Sequence, residues 1–203
     1  MTIKSLQSTS LTNNIFYRSM LAGNDAYFPE FESDDFLEEV VLTTSASSVT
    51  FSGLGAYSDY KHLQIRFVGR TDIANTSARD LLVRLNADTG NSYAYHNLYG
   101  TGSEVNSRQA STTGGMFQRE VFADGNNTTG VFGAGIIDIL DFSSTSKNTT
   151  IRTLLGVNAT SSTIVALSSG LWNSTSAVTS VTLAPNSSNL VAGTRFSLYG
   201  SKG

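Results

Sequence analysis

Two histidines, His62 and His96, and the absence of any cysteine set narrow limits on the chemistry this 203-residue chain could perform. Neither histidine stands in an HxxxH-type or other metal-ligand spacing, and without cysteine there is no thiolate site and no disulfide framework. Both fall in strand-like stretches, where packing or surface roles are the ordinary fate of a lone imidazole. A serine hydrolase would need its nucleophile on a sharp GxSxG elbow, and no such pentapeptide occurs. Asp138 and Asp141 are three apart on an expected strand. They would face opposite sides and could not serve as the paired carboxylates of a glycosidase. Asn86, Asp88, Gly90 and Asn91 cluster oxygens as a calcium loop does, but they lack the closing bidentate acid, and a β-turn explains the same residues. GVFGAG at 130–135 departs from GxGxxG and opens a strand, so its glycines are expected to allow a bulge or close packing. Trp172 follows an apolar run and reads as a core or intersubunit anchor. Asn-x-Ser/Thr recurs seven times, close to chance in a chain so rich in these residues, and is read as unglycosylated. The expectation is a protein with no catalytic residues, no metal and no cofactor.

The elements that would carry these residues are strands. Only 14% of residues are charged, and Ser, Thr, Asn and Gly crowd the segments between short apolar runs, a composition that favours many strands joined by tight turns. From about residue 37 the apolar period is two. In HLQIRFVGR the residues Leu63, Ile65 and Phe67 alternate with Gln64 and Arg66, and Ile137 and Ile139 flank Asp138. Eleven strands are predicted, over 37–43, 48–52, 62–70, 80–86, 93–99, 115–122, 131–142, 149–157, 163–172, 177–184 and 194–200. Turn-rich gaps at 71–79, 100–114 and 143–148 are predicted as end loops. With no amphipathic helices to make crossovers, the fold class is all-β, a jelly-roll-like antiparallel sandwich of residues 37–203.

Residues 1–36 read as an arm ahead of that sandwich. A short helix is expected over 13–22, capped by Thr12 and stopped by Gly23. The arm offers Ile15, Phe16, Tyr17, Met20, Leu21, Tyr27, Phe28 and Phe31 in a segment too short to bury them in a core of its own, so these are the candidate partner-binding residues. Through Thr50 there are two basic residues against seven acidic ones, while the whole chain carries a net charge of −3. Basic residues are scattered singly, which argues against a nucleic-acid surface. No stretch is long and apolar enough to span a membrane, and no secretory signal is visible.

Several segments carry a family likeness: SMLAGN at 19–24, KHLQIR at 61–66, NADTGNSYAYHNLYG at 86–100, IIDILDFSSTSKNTTIR at 136–152, and the closing GLWNSTSAVTSVTL with FSLYGSKG. Together they resemble a group of tailed-bacteriophage virion proteins commonly labelled tail fibre, head decoration or virion structural protein. The resemblance implies a non-enzymatic β-sandwich component of a phage particle, assembled in the cytoplasm of the bacterial host. The leading expectation is a homotrimeric capsid decoration or cement protein whose arm lies against the major capsid protein or a sister chain. The alternative is a tail-fibre or adhesin component, docked to tail proteins and contacting host glycan. Neither nucleic acid nor membrane is expected as a partner.

Overall fold

The computed structural model describes residues 34–74, 79–159 and 163–202, which belong to a compact unit running from Asp34 to Gly203. The helix expected over 13–22 and the arm residues Ile15, Phe16, Tyr17, Met20, Leu21, Tyr27, Phe28 and Phe31 lie outside the described residues. Twelve strands are described: β1 (Asp35–Val41), β2 (Val49–Ser52), β3 (His62–Gly69), β4 (Arg79–Leu85), β5 (Tyr93–Gly100), β6 (Val105–Thr113), β7 (Met116–Phe122), β8 (Gly133–Leu140), β9 (Thr149–Asn158), β10 (Thr163–Trp172), β11 (Ser180–Pro185) and β12 (Arg195–Ser201). The fold is all-β, and the strands pair antiparallel into two sheets, one ordered β1-β12-β3-β8-β9-β10-β5-β6 and the other β2-β11-β4-β7.

The pairing is nested. The first strand pairs with the last and the second with the last but one, β1 with β12 and β2 with β11. Further in, β3 pairs with β8 and β4 with β7. The two hairpins left over, β5–β6 and β9–β10, stand outside this nesting and continue the larger sheet beyond β8.

Alternation decides which face each strand buries. In β10 every second residue from Ile164 to Trp172 turns inward, giving a strict exposed–buried pattern; β9 and β3 read the same way. The inward sets of the two sheets meet in one core that includes Phe51, Leu63, Ile65, Phe67, Leu81, Val83, Ile137, Ile139, Ile151, Leu183, Phe196 and Leu198. Phe67 anchors its centre, stacked on Phe196 at 5.5 Å and edge-on to Phe122 at 5.8 Å. Burying a side chain of this size contributes about 1.5–3 kcal/mol. The sheets can approach this closely where a glycine removes bulk: a Cβ at Gly133 would lie 1.6 Å from the carbonyl oxygen of Val121.

Two expectations need correction. The gap at 100–114, predicted as a loop, contains β6, a nine-residue edge strand paired to β5 from Val105 to Thr113. Its sequence VNSRQASTT has almost no apolar residue because both faces of an edge strand can stay wet, so no period announces it. The second concerns Asp141, which lies just beyond the end of β8 in a left-handed conformation with φ 49° rather than within the strand.

Candidate interaction surface

The ladder registers place the outward side chains of the larger sheet in rows across its strands. One row is polar where it crosses β3, β8 and β9: Gln64 stands beside Asp138, and Asp138 beside Arg152. The Gln64 amide donates to Asp138 Oδ1 at 2.9 Å, and Arg152 pairs with Asp138 Oδ2 at 3.3 Å. Nearby on β3, Arg66 lies 4.4 Å over the Tyr199 ring and donates to the Asp34 carboxylate at 2.6 Å. These groups answer one another and present a solvated surface.

The next row differs. Ile136 on β8, Leu154 on β9, Leu167 on β10 and Leu98 on β5 stand abreast and point away from the core. Beside them runs a row of smaller residues, Ala134, Gly156, Val165 and Gly100, with Val105 of β6 at its end. Leu154 is 50% exposed, Leu167 54%, Val165 59% and Val105 78%. The small row leaves a shallow apolar hollow of about 520 Å³, bordered by Arg66, Ile136, Leu154, Gly156 and Val165. A second, more polar groove of about 670 Å³ crosses the other end of the same strands, lined by His96, Gln109, Ser111, Thr150, Ser169 and Leu171.

The residues singled out for chemistry are dispersed. His62 Nδ1 accepts the backbone amide of Asp141 at 2.9 Å and serves the turn after β8. His96 faces outward on β5 at the polar groove, on the other side of the sheet from the buried core. The Asp141 carboxylate pairs with Lys147, which holds its pKa below the ordinary value. Asn86 and Asp88 are consumed by the turn after β4. Leu85 accepts the Asp88 amide across Asn86 and Ala87, both in left-handed conformation with φ 51° and 55°. The turn reverses the chain at the end of β4, before it crosses to β5 in the other sheet. Asn86 Oδ1 accepts the amides of Thr179 and Ser180, and Asp88 Oδ1 accepts that of Gly90. Trp172 is buried, stacked on Tyr93 at 6.4 Å, and its indole donates to Asp88 Oδ2 at 2.8 Å. That bond lowers the Asp88 pKa. Among the described residues no group of three or more His, Cys, Asp or Glu side chains is placed to hold a metal ion.

Two clusters were not visible in the sequence. Asp80 of β4 and Glu120 of β7 are neighbours: Asp80 Oδ1 accepts the Glu120 amide at 2.9 Å. Burial, with a further push from Asp80, raises the Glu120 pKa. Each carboxylate is engaged by an arginine, Asp80 by Arg108 of β6 at 3.3 Å and Glu120 by its chain neighbour Arg119, so Asp80 ties β4 to β6 and β7 in a partly buried polar cluster. The other is Arg70, whose guanidinium donates to the carbonyls of Thr128, Val131 and Asn127 at 3.0, 2.9 and 2.8 Å and so fastens the loop before β8. The planar fork of donors suits arginine to this task.

The outward apolar row did leave a signal in the sequence. In TIVAL the apolar residues occupy both parities, so one set had to face away from the core. Comparison with protein-family models finds no match, and comparison with curated proteins finds no similar sequence.

Proposed function

We propose that this chain is a non-enzymatic structural subunit of a tailed-phage particle, a homotrimeric decoration protein seated on the capsid. The observation that carries this reading is the nested strand order. Without the two added hairpins, eight strands form the sets β1-β12-β3-β8 and β2-β11-β4-β7, the arrangement of an eight-stranded ribbon rolled on itself. This favours a jelly roll, an architecture of viral capsid and lectin domains. Architecture alone does not assign a role. The resemblance to phage virion proteins narrows it, and so does the wide, nearly uncharged outer face built by the added hairpins. In this reading the arm, with Phe16, Tyr17, Phe28 and Phe31 among its anchors, docks on the major capsid protein.

A specific observation favours a second reading. The groove along His96, Gln109, Ser111, Thr150 and Ser169 offers hydroxyl, amide and imidazole groups on a sheet face, a chemistry suited to the hydroxyls of a host glycan. A tail-fibre or adhesin subunit would use it. Quantitative mass spectrometry of purified particles decides between the two. Hundreds of copies per virion place the protein on the shell, and a few to some tens place it on the tail. Absence from washed particles would overturn both.

A further inference from the structure

We infer that the outward apolar face of the larger sheet is where copies of this chain meet, the ridge of one copy entering the hollow of the next. The inference rests on the assembly reading above and adds to it the surface that does the assembling. Its first support is placement. On the nested frame strands β3 and β12 the outward positions are held by groups such as Gln64, Arg66, Arg195 and Tyr199. The exposed Leu98, Val105, Leu154, Val165 and Leu167 all lie on the four added strands, with Ile136 of β8 beside them, while the exposed Phe36 and Val41 stand apart on β1 at the far edge of the sheet. The hairpins that extend the sheet therefore bring the apolar surface with them. Solubility gives no reason for such an arrangement, and contiguous apolar patches of this kind mark association sites.

The second support is area. At these exposures the six side chains leave on the order of 500–600 Å² open, near the upper end for a monomer's largest patch and approaching the roughly 800 Å² that each partner gives to a standard interface. The third is shape and charge. A row of leucines beside a row of glycine, alanine and valine sets a ridge next to a hollow, so the ridge of one copy can enter the hollow of another, face to face about a twofold axis or head to tail around a ring. No charged side chain interrupts either row between β8 and β5, so the face asks for no partner of opposite sign. Arg66, Asp138 and Arg152 stand at its border, where Arg152 is paired to Asp138 and Arg66 to Asp34.

The test is the oligomeric state of the full-length chain by light scattering and sedimentation, for wild type and for Leu154→Glu/Leu167→Glu. The expected result is an oligomeric wild type and a doubly substituted variant of monomer mass, with an unchanged far-ultraviolet circular dichroism spectrum. A milder probe covers the case in which two glutamates prevent folding. The chain has no cysteine, so Leu154→Cys and, as control, Val41→Cys each carry a single thiol. Maleimide should modify the Leu154→Cys oligomer at least tenfold more slowly than the Val41→Cys one. A monomeric wild type at micromolar concentration, an assembly indifferent to the glutamates, or equal labelling of the two thiols would overturn the inference. If any of these accompanied normal copy numbers on the particle, the self-association surface would be wrong and the virion role would stand. A dimeric wild type that the glutamates dissociate would uphold the surface and correct the count of three.

Discussion

Acid reaches this protein first through carboxylates whose partners hold them ionised. The Asp88 pKa is lowered chiefly by the Trp172 indole and then by the Gly90 amide. Asn189 lowers that of Asp72, first through its amide and then through its side chain, and Lys147 lowers that of Asp141. A carboxylate depressed in the folded state contributes stability above its unfolded value, about pH 3.9, and that contribution is lost as pH falls through the folded value. Glu120 runs the other way. Burial raises its pKa, so its contribution is full below about pH 4.3 and is lost as pH rises through the folded value. Three groups against one predict destabilisation below about pH 4. Trp172 is the only tryptophan, so its emission reports the state of Asp88. We expect a fluorescence transition below pH 4 that precedes unfolding and is missing in Asp88→Asn; its survival in that variant would exclude the indole bond as its source. The buried fate of Trp172 could be read from its local pattern. Its partner could not, because Asp88 lies 84 positions away in the chain, a distance over which no local spacing carries information. The same holds for Asp80 and Glu120, 40 apart.

Strands announce themselves only as far as one of their faces is dry. β3, β9 and β10 alternate because a core lies beneath them, and their limits fall within a residue of the expected ones. β1 begins at Asp35, two residues ahead of where the alternation starts, because Asp35 and Phe36 pair with Gly200 and Tyr199 across an edge with a bulge that breaks the period. β6 leaves no trace at all, since its place is fixed by its ladder to β5 rather than by burial. In the GVFGAG segment close packing was legible in kind but not in degree. At Gly133 an added Cβ meets the Val121 carbonyl, which is backbone and cannot turn aside. At Gly170 it meets the Met116 sulfur at 2.0 Å, the far part of a flexible side chain. Overpacking of a core costs about 1–3 kcal/mol and more where nothing can yield. Gly133→Ala should therefore destabilise by about 3 kcal/mol or more and Gly170→Ala by about 1 kcal/mol, read from urea midpoints at unchanged m. Equal losses would show that the two sheets can separate at β7 and β8 more readily than their close packing implies.

At the scale of the molecule, every described strand lies in the unit that starts at Asp34, so a chain lacking residues 1–33 should fold on its own. Its urea unfolding should stay cooperative and its oligomeric mass, counted in subunits, should match wild type. If the arm docks on the particle, the shortened protein should no longer sediment with virions lacking the native copy, and wild-type incorporation would show that the sandwich itself docks. The nested pairing has a further consequence, for the order in which the chain can fold as it is made. Among the described strands the earliest to be synthesised, β1, has as its ladder partner the latest, β12. β2 must likewise wait for β11. The hairpins β5–β6 and β9–β10, closed by short connections, can form during translation, but the opposite edge of the sheet, at β3, stays open until β12 arrives. Closing such distant ends is slow. In the interval the growing chain carries unpaired strands and an apolar face, and early meeting of neighbouring nascent copies would protect both.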